Sequence, residues 1–135
     1  MLPIFAILFF GSAIFLLASI KTRRLMRPFL ERACTGSRWR RRFSEASKSE
    51  IREFLDVFVE AFGFKQGWRL RFMPEDRVMD VYRALYPIRG APDGLELESF
   101  VIDLQKRYGV DIVHSWREDV TLADLFSQTR RVGPQ

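Results

Sequence analysis

An all-α chain is what this sequence predicts, with an N-terminal transmembrane helix followed by a small helical bundle. Three observations lead there. Leu2 to Ile20 is uncharged and almost entirely apolar. Beyond Ser47 the apolar residues recur at helical spacing, in runs opened by capping residues. Only Phe64 to Phe72 alternates as a strand would, and it does so weakly. At 135 residues the chain has room for one domain of about 80 to 100 residues plus an appendage.

The first element is LPIFAILFFGSAIFLLASI, Leu2 to Ile20. At about 1.5 Å per residue it spans about 28 Å, close to the hydrocarbon thickness of a bilayer. The cations Lys21, Arg23, Arg24 and Arg27 follow it, and no small-residue cleavage site does, so residues 1–20 read as an uncleaved anchor. Lys/Arg-rich flanks stay cytoplasmic, which places everything beyond Lys21 inside. A buried or interfacial hydrophobic helix is the alternative, as is translation from Met26.

Residues 21–46 form a basic juxtamembrane linker, flexible or partly helical. Met1 to Phe43 holds nine Lys/Arg against one acid, a balance of +8, while Ser44 to Gln135 holds thirteen against sixteen, a balance of −3. The high isoelectric point therefore belongs to the arm, and the globular part is mildly acidic. Arg38, Trp39, Arg40, Arg41 and Arg42 are its densest cluster, expected to bind anionic lipid headgroups with the indole at the interface. Nucleic acid is the less favoured partner, because lipid lies next to the arm. The single Cys34 excludes an internal disulfide and any cysteine-cluster metal site.

Residues 47–129 carry the helical domain. Ser47 and Glu50 make a capping box, and Ile51, Phe54, Leu55, Phe58, Ala61 and Phe62 share one face until Gly63 stops the helix. Phe64 to Phe72 is expected to lie extended over the core. Pro74, Glu75 and Asp76 suit a first helical turn, with the acids favoured by the helix dipole, and Val78, Val81, Tyr82 and Leu85 follow as an apolar face. Tyr86 to Pro92 should be a loop. Asp93 is then an N-cap, with Glu96 closing a second capping box. Leu97, Phe100, Val101, Leu104 and Tyr108 give the buried stripe of that helix, and Gly109 ends it. Thr121 begins a last short helix with Leu122, Leu125 and Phe126. Residues 130–135 read as a frayed tail.

From Glu50 to Ser127 this order of elements resembles an acyl carrier protein. The specific points are Asp93 and Leu95, the run Phe100-Val101-Ile102-Asp103-Leu104, then Tyr108 to Ile112, and Asp119 to Leu122. The chain is also similar to short bacterial proteins classed as acyl-carrier-like domains of unknown function. The resemblance implies a four-helix carrier domain and, with the anchor, a single-pass bacterial inner-membrane protein. It also implies a recognition surface at the second helix and the loop before it, here Arg89, Asp93, Glu96 and Asp103. One departure is decisive: Gly94 occupies the position of the serine that carries phosphopantetheine, so no cofactor is expected. Ser99 lies more than a turn too late to replace it.

Enzyme chemistry finds little support. His114 is the only histidine, and neither Ser115 nor Ser99 is spaced to make it a general base. There is no glycine-rich phosphate loop, metal-ligand spacing or nucleophile elbow, and no small-molecule substrate is evident. The resulting expectation is a non-catalytic, membrane-anchored module that binds a protein partner. A basic-arm binder of anionic lipid or nucleic acid, and an atypical acyl carrier modified elsewhere, are the alternatives.

Overall fold

The computed structural model describes residues 4–86 and 94–132. Among them are six α-helices: α1 (Ile4–Leu30), α2 (Gly36–Arg42), α3 (Lys48–Ala61), α4 (Val78–Leu85), α5 (Leu95–Tyr108) and α6 (Leu122–Val132). Two 3-10 turns, Gln66–Arg71 and Val113–Ser115, join them, and the fold is all-helical as expected. Arg89 and Asp93 lie outside the described residues.

α1 is one helix of 27 residues with two environments. Along its first stretch Ile7, Phe9, Phe10, Phe15 and Leu17 are each more than 60% exposed. By length and composition this helix can cross a membrane. From Thr22 onward the same helix is docked on the domain. The Thr22 hydroxyl donates to the Leu85 carbonyl (3.3 Å), Met26 is buried, and Phe29 stacks on Phe72. The helix expected as an anchor therefore does not end at residue 20. It runs without interruption into the core, where a linker had been expected to begin.

The rest of the expected linker is structural too. Arg71 donates to the Leu30 and Arg32 carbonyls, satisfying oxygen atoms that the end of α1 leaves orphaned. Thr35 is buried, its hydroxyl within 2.8 Å of both the Leu70 and Phe72 carbonyls. Trp39 is fully buried among Phe43, Phe54 and Phe126, and its indole N–H donates to the Phe72 carbonyl (2.8 Å). That corrects its expected place at a membrane interface. A ring held on all sides by aromatic neighbours has no face to offer lipid or a base.

Phe64 to Phe72 is a 3-10 turn at its centre rather than an extended segment. Trp68 and Trp116 sit half-buried at the core's edge. Pro74 to Asp76 also departs from expectation, because α4 starts only at Val78, after an extended Arg77. The starts of α4 and α6 instead complete each other. Val78 N–H donates to Val120, while Leu122 and Ala123 donate to Asp76 and Pro74, covering orphan amides at both starts. Thr121 and Asp124 close a reciprocal side-chain cap on α6.

Two sets of contacts fix which way the helices run. Thr22 meets Leu85 while Arg32 meets Asp76, so α4 lies antiparallel to the end of α1. Phe62 meets Phe100 while Glu53 meets Arg107, so α3 and α5 are antiparallel as well. The Tyr86 hydroxyl donates to Glu96, which sets the start of α5 beside the end of α4. One end of the domain, where α1 emerges, thus gathers Thr22, Leu85 and the start of α5. The opposite end gathers Arg32, Asp76, α2 and the start of α3.

Candidate functional site

Two surfaces are candidates, one on α5 and one at the far end. Gly94 precedes α5 in the left-handed region, φ 76°. A Cβ there would meet no atom within 4 Å, yet the backbone conformation itself costs a non-glycine residue on the order of 1 kcal/mol. Glycine at this position is therefore what the turn into α5 requires, quite apart from any lost hydroxyl. Gly94 is the residue that precedes the helix, and it provides no side-chain cap; the expected Asp93 cap lies outside the described residues.

The predicted recognition residues separate. Glu96 is half-buried and engaged by Tyr86, so its carboxylate is drawn into the domain. Asp103 is exposed, beside a shallow depression formed with Val57, Glu60, Lys106 and Arg107. α5 buries Phe100 and Leu104 and turns Leu95, Glu98, Ser99, Ile102 and Asp103 outward. Leu95 is 57% and Ile102 38% exposed. They stand seven residues apart, on one face of the helix. An apolar residue left outside an amphipathic stripe was the available signal for this face.

At the far end, the α2 arginines part to two sides of a ridge whose root is Trp39. Arg38, Arg41 and Arg42 flank a depression shared with Glu75, which Arg42 approaches to 4.0 Å. Arg40 leans the other way, over a cavity of about 250 Å3 between α2 and α3, lined also by Cys34, Gly36, Ser37, Lys48, Ile51, Arg52 and Leu70. Lys48 and Arg52 escaped the sequence reading because they belong to the next helix, beyond the arginine run. Among the described residues, none of Arg38, Arg40, Arg41, Lys48 and Arg52 has a carboxylate within 4.0 Å.

The arginines that do pair are structural. Arg32 grips Asp76 with both Nη atoms, at 2.6 and 2.9 Å, and Met73 N–H donates to the same carboxylate at 2.7 Å. Asp76 is 6% exposed, so it joins α1 to the domain and is not a charge at the start of a helix. Arg69 pairs with Asp56 (3.0 Å). Glu50 is held below the usual carboxylate range, first by the Ser47 N–H and then by Arg130. Its contribution to stability is therefore present above the ordinary carboxylate range and is lost as pH falls through the lowered value. Burial pushes the Tyr108 hydroxyl up, against the opposing charge of Arg107. That contribution is complete below the ordinary tyrosine range and fades as pH rises through the raised value. Arg130 and Arg131, expected in a tail, belong to the last turn of α6.

His114 Nδ1 lies 2.6 Å from Asp111 Oδ2 in an exposed pair, and the Ser115 hydroxyl contacts Gln128 and the Ile112 carbonyl. Among the described residues no group of three or more His, Cys, Asp or Glu is placed to hold a metal ion. In comparisons with known proteins, no family model, curated protein or solved structure matches this chain.

Proposed function

We propose that this chain is a single-pass membrane protein whose helical domain is a non-catalytic docking module for another protein, without phosphopantetheine, on the cytoplasmic side of a bacterial inner membrane. The observation that carries the proposal is the outer face of α5, where Leu95 and Ile102 stand exposed between Glu98 and Asp103. A small apolar contact rimmed by acids fits a protein surface of the opposite design, apolar at its centre and basic at its edge. The start of α5 lies at the end from which α1 emerges, so the partner belongs at the membrane as well.

Several features support the rest of the reading. Lys21, Arg23 and Arg24 directly follow the apolar run, favouring a cytoplasmic domain and contact with anionic headgroups. Gly94 offers no hydroxyl and a backbone that disfavours serine. The only histidine pairs with Asp111 on an exposed surface.

A photoreactive side chain at position 102 of the full-length protein, activated in its own membrane, tests the proposal. A discrete protein adduct is expected. It should fall about tenfold, equivalent to about 1.4 kcal/mol, in Glu98→Lys/Asp103→Lys and persist in Arg41→Glu. An adduct pattern indifferent to the reversal on α5, or lipid adducts alone, would overturn it.

A further inference from the structure

We infer that the cavity between α2 and α3 is a phosphoryl-binding site for a soluble phosphorylated ligand, presented away from the membrane that α1 occupies. Three cations, Arg40, Lys48 and Arg52, converge on it from two helices, and no carboxylate lines it. Ser37 adds a hydroxyl, and buried Ile51 with half-buried Leu70 adds an apolar wall. Like charges gathered around one concavity repel each other, and an anion seated among them relieves that repulsion. Guanidinium groups match phosphoryl oxygen atoms two at a time, while an ammonium serves as a point charge. At about 250 Å3 the cavity holds a phosphoryl group with room for a small organic body against the apolar wall.

The orientation of the domain disfavours the nearest source of phosphates, given α1 across a bilayer as proposed above. From Ile20 to Leu30 the helix climbs about 15 Å, and the chain turns into α2 only after that. Headgroups extend about 5 to 7 Å beyond the hydrocarbon. The cavity therefore stands about one Debye length past the tethering surface, where its attraction is largely screened. The second antiparallel pair agrees, because Lys48 and Arg52 open α3 at the end opposite the start of α5. A single-stranded polynucleotide is disfavoured in turn, since the aromatic platform that its bases would stack on, Trp39, is fully buried. A compact soluble phosphate ester is what remains.

The test uses the full chain in nanodiscs of neutral phosphatidylcholine, titrated with inorganic pyrophosphate and followed by calorimetry and phosphorus NMR. Saturable one-to-one binding in the range of about 1 mM or tighter is expected. It should weaken at least about tenfold in Arg40→Glu and in Lys48→Glu, with an unchanged unfolding midpoint showing that both variants fold. Arg41→Glu, on the other side of the ridge, should bind as the parent does. Absence of saturable binding, or equal loss in Arg41→Glu and Arg40→Glu, would overturn the site. Capture of phosphatidylglycerol vesicles by these nanodiscs, abolished by Arg40→Glu and stronger than pyrophosphate binding, would overturn the soluble ligand in favour of a lipid surface.

Discussion

Ala6 to Ile20 and Thr22 to Phe43 are neighbours in sequence, and the first half of the second stretch continues the first as one helix, yet their side chains meet different surroundings. In the first, bulky apolar side chains point outward, each more than half exposed. In the second, Met26, Thr35 and Trp39 are buried and the backbone is tied down by Arg32, Arg71 and Thr35. The difference shows that charge density along a chain says little about whether it is free. The most basic stretch of this protein is a wall of its core, held there by a tryptophan and a threonine among the arginines.

Breaking the docked stretch should show this most strongly at Asp76. Asp76→Ala leaves Arg32 without its carboxylate in a partly buried setting, and a loss of about 4 kcal/mol is expected in denaturant unfolding of the full chain. Next comes a matched pair along α1. Met26→Ala should cost about 3 kcal/mol by leaving a gap in the core, while Leu16→Ala, in the bare stretch, should change domain unfolding by no more than about 0.5 kcal/mol. Equal effects at the two positions would mean that the helix is not divided as described. The smallest effect is expected at the seam. Thr22→Val removes one hydrogen bond to the Leu85 carbonyl, worth about 1 kcal/mol, and faster amide exchange confined to the end of α4 would register it.

Much of the fold was legible because local chemistry announced it. The Ser47 and Glu50 box opens α3 where expected, and Phe54, Leu55 and Phe58 are fully buried on the face that the spacing marked. Thr121 caps α6, and Gly109 ends α5 in the left-handed region. The misses share a cause, a partner far away in sequence. Nothing near Asp76 announces Arg32, 44 residues earlier, and a Pro-Glu-Asp run satisfies the rules for a first helical turn equally well. α2 has only seven residues, too few for a period to reveal that Trp39 points inward. Trp68, Leu70 and Phe72 alternate in a run too short to separate a strand from a 3-10 turn. At the candidate sites, the exposed acid Asp103 was readable from the helical wheel. The cavity was not, because it needs Arg40 from one helix and Lys48 and Arg52 from the next.

The uninterrupted path of α1 from its bare stretch into the core makes the helix an axle. A helix has a phase as well as a length, and here the domain is locked to that phase by Thr22, Met26 and Phe29. One residue inserted between Phe15 and Ile20 would raise the domain by about 1.5 Å and swing it by about 100° around the helix axis. The contacts within the domain would survive such a change intact. What would alter is the compass bearing of α5 relative to the bare stretch.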